Sequence, residues 1–483
     1  MMQKKIIISL LALFILINGK IWSQDFGFGF DNEESSGGTE KSNANVSISG
    51  EVSAAITGYF DEIADGAENI NTRDMFMFSG KLNFFARSSI AEGAINIKLV
   101  PAIVPVSIDA AYISAFFGAF DISAGLKKIT WGKADQLGPL DIINLPDTSR
   151  MFTEMSDNTN LMDIKIANPV IHTSYRFGMF SKIEGIFIPS FEIINMAVST
   201  ALSGDSDSMT DLLIGSVSER WIPAQMKELS QQGFSLNKAD TSALNYTQAG
   251  IRFTTTAGRA DIGFQYFYGR MYQPAFRFIL PADTAASPAI DLIFNKYHQI
   301  GIDFAQVIAG LNTRSELAVN ITEDTGGNDG FIYNPSIGWS FGFDRDLFSG
   351  INLNFQANGS IRLFNSKVGS SNNPFVYIYN EDFGFFYPIG YNPDFDIEAE
   401  TSATATRFTA ALSKKFLRDE LEVRTAIVWG IEDSDFAFMP ALIWTKNDLQ
   451  IAFSCAFFAG DSGGQLGQYK DNSFMKISIK YTF

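Results

Sequence analysis

Residues 351–363 read INLNFQANGSIRL. The odd positions carry Ile351, Leu353, Phe355, Ala357, Gly359, Ile361 and Leu363, and the even ones Asn352, Asn354, Gln356, Asn358, Ser360 and Arg362. In an extended strand successive side chains point to opposite faces, so this segment has one apolar and one polar side. Asp448–Phe457 alternates in the same way, and so do the last residues, where Met475, Ile477, Ile479, Tyr481 and Phe483 oppose Lys476, Ser478, Lys480 and Thr482.

A soluble sandwich also alternates. Length argues for lipid instead. From Val46 onward the segments run nine to fifteen residues, whereas a tilted membrane strand needs roughly 9–11 and a soluble strand averages about 5–6. Aromatic residues gather near segment ends, among them Tyr59, Phe60, Phe116, Phe117, Trp131, Tyr266, Tyr268, Trp339, Trp429 and Trp444, as interfacial girdles require. Short connections alternate with long, acid- and glycine-rich ones. The spacing predicts 18 strands, near 46–60, 75–88, 92–101, 106–117, 120–131, 169–180, 182–190, 246–257, 259–270, 294–306, 309–321, 332–343, 350–364, 405–416, 419–431, 437–445, 448–459 and 473–483. The weakest of these are 92–101, 106–117 and 437–445, and 16 strands are the fallback. The fold expected is all-β, a transmembrane up-and-down antiparallel barrel. Pro101–Phe120 is apolar enough to suggest a spanning helix, but Pro101, Pro105 and Asp109 interrupt it, and it reads as a strand pair.

Upstream, Lys4 and Lys5 precede the apolar run Ile6–Ile17, and Ser23 offers a small residue for cleavage. This pattern predicts a signal peptide over 1–23. Residues 24–45 read as a flexible periplasmic leader and 46–483 as the barrel. The 191–245 insertion shows helical spacing at Leu212, Leu213, Val217, Trp221, Ile222 and Met226.

Composition narrows the function. The 483 residues carry 36 Lys+Arg against 53 Asp+Glu, a formal charge of −17, which disfavours nucleic acid as a partner. Two His and one Cys predict neither a zinc-type metal site nor a cofactor. A barrel hydrolase would need a nucleophile with a His partner; Ser174 shares a strand face with His172, but so small a match is trivial, and no enzyme is expected. On the polar face, Lys81, Lys98, Arg252, Arg314, Glu316, Arg362, Arg407, Glu422 and Arg424 are candidates to line a pore. A modest basic excess there predicts a slight anion preference.

The C-terminal strand, Phe474–Phe483, resembles the recognition signal of bacterial outer-membrane barrels. That resemblance implies insertion by the barrel-assembly machinery through a strand ending in Phe483. A second resemblance rests on Trp131-Gly132, on Gly138-Pro139-Leu140-Asp141-Ile142-Ile143-Asn144 and on Pro146-Asp147. It is to a porin-like outer-membrane family of unassigned substrate, in which a strand ends in Trp-Gly and Ile-Asn-Pro-x-Asp follows. Here Leu145 intervenes between Asn144 and Pro146. The stretches Gly250-Ile251-Arg252, Gly301-Ile302-Asp303 and Arg314-Ser315-Glu316 are similar to the same family. The resemblance marks Trp131, Gly132, Asp141, Asn144 and Asp147 as a motif loop, which is a candidate constriction. It implies a passive channel for small polar solutes in the bacterial outer membrane. Two alternatives stand beside it: a transporter of hydrophobic compounds, and a plugged surface adhesin or structural barrel. Lipid and small solutes are the partners expected.

Overall fold

Lipid offers an unpaired strand edge no water, so a sheet immersed in it must close on itself. In the computed structural model of this chain, 18 strands do so. They are β1 (Asn45–Tyr59), β2 (Phe76–Arg87), β3 (Ala91–Val100), β4 (Val104–Phe117), β5 (Phe120–Lys127), β6 (Asn168–Phe177), β7 (Ser181–Ile188), β8 (Gln248–Ala257) and β9 (Ala260–Arg270). The second half comprises β10 (Lys296–Ile308), β11 (Leu311–Thr322), β12 (Ser336–Asp346), β13 (Ile351–Arg362), β14 (Thr404–Phe416), β15 (Leu421–Gly430), β16 (Asp435–Lys446), β17 (Leu449–Ala459) and β18 (Phe474–Thr482). Every neighbouring pair is antiparallel, and β1 meets β18 from Glu51↔Thr482 to Tyr59↔Phe474, which closes the ring. The structure describes residues 45–65, 75–100, 104–144, 146, 151–156, 161–191, 221, 235–237, 241, 243–279, 289–364, 375–380, 385–391 and 403–483. Of the chain's two units, Met1–Asn43 and Ala44–Phe483, only the second is described.

All 18 segments read from the sequence are strands, including the three weakest. Their faces separate as alternation predicts. In β18, Met475, Ile477, Ile479 and Tyr481 are exposed on the outside, while Lys476 is buried within. In β13, Gln356 is buried on the inner face and Ile361 exposed on the outer. An outer wall of exposed Ile, Val, Leu and Phe on every side is what a bilayer solvates, so this is a membrane-spanning barrel. Within the stretch read as a possible spanning helix, Val104–Phe117 is β4, and no helix among the described residues is long and apolar enough to cross a membrane. Asp109, which interrupts its apolar pattern, is an extra residue between Asn96↔Ala110 and Ile97↔Ile108. The bulge resets which side chains face inward, and Lys128 Nζ reaches both Asp109 carboxylate oxygens at 2.8 Å.

Three expectations change. First, β5 ends at Lys127, four residues earlier than the alternation suggests. The Ile129 N–H goes to the Asn144 side chain and not to a neighbouring strand, so the chain leaves the wall there. Second, Trp131 and Tyr59 do not belong to the interfacial girdle. Both are buried inside, with Trp131 only 1% exposed, whereas Phe117, Tyr266 and Trp429 do face outward. Third, the long connections hold structure of their own. Strands at Ser235–Asn237, Ala275–Ile279, Ala289–Ile293, Phe375–Asn380 and Phe385–Tyr391 form a separate five-stranded sheet. Runs such as FVYIYN carry the aromatic and β-branched residues that favour strands, but at five to seven residues they fall below the length that marks a membrane strand. Asp147, the signal peptide, the leader and most of the helical spacing in 191–245 lie outside the described residues.

Candidate functional site

The connection from β5 to β6, Lys128 to Ala167, folds into the barrel. Its neck is Asn144, fully buried. The Asn144 Oδ1 accepts the Ile129 N–H at 2.6 Å, and its Nδ2 donates to the carbonyls of Lys127 at 3.1 Å and Ile166 at 2.7 Å. One side chain thus ties the outgoing strand to the returning one. Pro146 and Lys165 add an isolated bridge, and Lys165 Nζ pairs with Asp141.

Beyond the neck, the chain lies along the inner faces of β8 to β13. A loop in such a place exposes backbone groups without a ladder to satisfy them. The wall supplies their partners. Glu316 on β11 accepts the backbone N–H groups of Lys133, Ala134 (2.7 Å) and Leu140 (3.3 Å). Gln265 on β9 and Gln299 on β10 donate to the carbonyls of Leu140 (3.1 Å) and Pro139 (3.0 Å). Gln356 on β13 accepts from the Gln136 N–H at 2.9 Å. Arg314 pairs with Asp135 at 2.5 Å and with Asp344 at 2.7 Å.

Packing follows the same plan. Trp131, Leu140 and Pro139 lie over Gly250 on β8, Gly301 on β10 and Gly338 on β12. A Cβ at Gly250 would stand 2.8 Å from Trp131 Cη2, and one at Gly338 2.8 Å from Pro139 Cβ. Wall glycines therefore form the sockets for the loop's bulky residues. The loop's own Gly132, at φ +94°, and Gly138 leave the space that the Glu316 carboxylate occupies. Trp131 joins Ile129, Ile143, Val170, Ile186, Ile188, Phe267 and Tyr297 in an apolar cluster that fills this side of the interior.

The rest of the segment reaches the opposite wall. Its short helices, Met151–Met155 and Leu161–Ile164, bring Thr153, Ser156 and Asp163 to β2, β15, β17 and β18. Lys81 Nζ meets Asp163 at 2.5 Å and Lys98 Nζ donates to the Asp163 carbonyl at 3.2 Å. Arg424 donates to Ser156 O at 3.4 Å, Ser454 pairs with the Ser156 hydroxyl at 3.1 Å, and Lys476 Nζ donates to Thr153 O at 2.6 Å.

The sequence-derived residues thus divide into groups. Arg252 and Glu316 face inward but lie beneath the loop, each 4% exposed. The Arg252 guanidinium binds Gln265 at 2.9 Å and Asp303 at 2.6 Å. Lys81, Lys98, Arg314 and Arg424 face inward and hold the loop. Arg407 donates to Gln465 at 2.7 Å. Arg362 and Glu422 occupy the inward files of β13 and β15, where they sit opposite Ser336 and Lys415. The loop residues Trp131, Gly132, Asp141 and Asn144 are all brought together. What the sequence reading misses is Asp135 and Asp163 on the loop, which answer Arg314 and Lys81. No periodicity marks them, because they do not lie on strands.

On the outer side of the loop lies a cavity of ≈ 480 Å³, lined by loop residues Leu137 to Ile143 and by β10 to β14. Asp141, Arg270, Arg407, Glu432 and Asp433 are its charged members. Burial pushes the Asp141 carboxyl above its ordinary value, and the neighbouring Lys165 ammonium opposes this without cancelling it. At Glu432 burial also pushes upward, but hydrogen bonds from the Thr404 hydroxyl and the Thr406 amide and hydroxyl outweigh it and leave the carboxyl below its ordinary value. A smaller space of ≈ 100 Å³ lies between Lys81, Lys98 and Lys480 and the loop's Glu154 and Asp163. Separately, Trp221 is lodged among Tyr59, Phe458 and Phe474, and its indole N–H donates to Tyr59 at 3.3 Å.

No protein-family model matches the chain, and no curated protein does. Among solved structures, the chain is similar to Pseudomonas aeruginosa OccK9 (OpdG), at 10% identity and TM-score 0.47 over 91% of this chain and 98% of that one. It is similar to Pseudomonas aeruginosa OccK2 (OpdF), crystallised with glucuronate, at 9% identity and TM-score 0.46 over 91% and 98%. It is also similar to Wzi, the carbohydrate-binding outer-membrane β-barrel of Escherichia coli capsule assembly, at 8% identity and TM-score 0.44 over 90% and 84%.

Proposed function

We propose that the chain is an outer-membrane channel for the passive diffusion of small polar solutes, narrowed by the Lys128–Ala167 segment. The observation that carries this reading is the closed barrel with an apolar exterior and a polar interior, whose infolded loop leaves an outer vestibule of ≈ 480 Å³. An even strand count puts both ends of the barrel on one side, together with the tight turns, as in outer-membrane barrels. The C-terminal strand ending in Phe483 supports delivery by the barrel-assembly machinery. A pore of this kind needs no catalytic group. Pore-lining roles fall to Arg407, Arg362 and Glu422, whereas Arg252, Glu316 and Arg314 set the position of the constriction.

The loop acids change the electrostatic expectation. Asp135 and Asp163 sit on the wall's Arg314 and Lys81, so the basic excess that suggests anion preference is largely answered within the lumen. The reading is therefore of a weakly ion-selective pore. The transporter of hydrophobic compounds loses ground for a similar reason: the interior apolar clusters are filled by the protein's own Trp131 and Trp221. The plugged barrel remains the second reading, favoured by the loop's contacts with both halves of the wall. Planar-bilayer recording of the folded protein separates the two. Steady unitary currents support the channel, and silence from correctly folded barrels supports the plug.

A further inference from the structure

Four of the five charged groups lining the outer vestibule are held by hydrogen bonds or an ion pair within the protein, and the fifth is Asp433. Asp141 has the Lys165 ammonium. Arg270 donates to the carbonyls of Phe294 and Asn245, both at 2.6 Å, and its guanidinium lies 3.9 Å from the centre of the Tyr246 ring. Arg407 has Gln465, and Glu432 has Thr404 and Thr406. An incoming anion would meet the carboxylates of Asp141, Glu432 and Asp433, and an incoming cation would meet Arg270 and Arg407. Either would thus meet charge of its own sign as well as of the opposite one, so the mixed lining gives neither ion a clear gain to offset its lost hydration.

The lining offers neutral hydrogen-bonding groups in their place. Gln299 and Asn320 form a chain of amides along the wall, Nε2 to Oδ1 at 3.0 Å, which continues from Asn320 to Ser336 at 3.2 Å. Next to it, the Asn358 amide and the Ser360 hydroxyl have no side-chain partner among the described residues. Three buried atoms of the lining residues also lack a partner: Asp141 Oδ1, an acceptor, and Arg270 Nε and Arg407 Nε, both donors. The Asp141 side chain is 8% exposed. In the same lining, Phe191, Met271 and Tyr272 supply apolar and aromatic surface. Donors and acceptors interspersed with apolar surface suit a ring with hydroxyls on its edge and C–H groups on its face. The volume falls within the roughly 300–1,000 Å³ of small-molecule sites.

We infer that this vestibule selects uncharged polyhydroxy solutes, with small sugars as the chemical class. The inference rests on the channel reading above and deepens it. Its test uses three pyranoses of similar size and different charge: glucose, glucuronate and glucosamine. Proteoliposomes holding the folded protein are mixed with each sugar in turn and their swelling rates compared. Potassium-chloride current through single barrels is recorded in parallel, with glucose added. Glucose is expected to enter several-fold faster than either charged analogue and to reduce the current saturably. In N358L, whose folding is checked by heat-modifiable mobility, the preference for glucose over glucuronate should fall about fivefold, the worth of roughly one hydrogen bond. If glucuronate or glucosamine enters as fast as glucose while currents are normal, the inference fails and the channel stands. If no sugar enters and no current flows, the channel reading fails and the inference goes with it.

Discussion

Leu140, on the infolded loop, sits directly over Gly301 of β10, with its Cδ2 where a Cβ of residue 301 would have to be. The contact joins two residues far apart in the chain and sets how close the loop comes to the wall. Gly301→Ala should push the loop off β10, since overpacking of this kind costs about 1–3 kcal/mol. The barrel itself gains its stability from strand pairing, so folding should persist while single-channel conductance rises. The companion change Leu140→Ala removes the obstructing methyls. The double variant should return towards the parental conductance, a coupling that independent effects would not show.

That relationship also marks the limit of what could be read from the sequence. Alternation in stretches such as 351–363 is a property of one strand at a time, so the wall, its 18 members and the inward files of Arg314 and Glu316 were legible. What Glu316 does was not legible. Its partners are the backbone amides of Lys133, Ala134 and Leu140, more than 170 residues away, and backbone groups leave no mark in composition. Gly250 and Gly301 were visible as part of a family-like pattern, but their purpose, holding Trp131 and Leu140, depends on the fold. Trp131 was misread because a strand-end Trp in the girdle and one turning into the lumen look alike in the sequence. The five-stranded outer sheet was missed because its strands are too short to stand out by length.

Glu316 offers a sharper test than the glycine. Gln at this position keeps the size of the side chain but turns one acceptor oxygen into a donor that faces backbone N–H groups. At least one of them loses its partner, at a cost of about 1–3 kcal/mol. E316Q should make residues 133–141 cleavable by protease added from outside, with the barrel core intact. E422Q, on an inward file that does not hold the loop, should leave the cleavage pattern unchanged. Equal protection of E316Q and the parent would remove Glu316 as the anchor.

Asp141 makes the loop's docking sensitive to pH. Burial raises its carboxyl above the ordinary value, so the docked loop holds this proton more tightly than a released loop would. By linkage, protonation favours docking. The contribution is full below the carboxyl's ordinary value and is lost as pH rises through the raised one. Conductance of the parent should therefore fall on acidification as the loop seats more firmly. D141N carries no titrating group, so this part of the pH response should disappear. A response of equal size in D141N would assign it to another group.

The ring closes where β1 meets β18, and the contact there is unusually close. Gly50 and Phe483 exchange both backbone hydrogen bonds, at 2.8 and 2.9 Å, and the Phe483 ring lies over the glycine, with Cζ 2.6 Å from where a Cβ would be. The same position would also bring a Cβ to 2.6 Å from the Lys81 carbonyl on β2, so residue 50 has no room on either side. Gly50→Val should obstruct the pairing that closes the barrel. An unclosed barrel leaves two edges in lipid, each unsatisfied group costing several kcal/mol, so the failure should be all-or-none. Phe483→Ser differs in kind. It keeps the backbone pair and removes only the ring, so purified protein should still fold in detergent, as judged by gel mobility. In cells, where the terminal aromatic is proposed as the assembly signal, its membrane yield should drop several-fold. Loss of folding in detergent as well would make Phe483 a seam residue, and undiminished cellular yield would remove it as a signal.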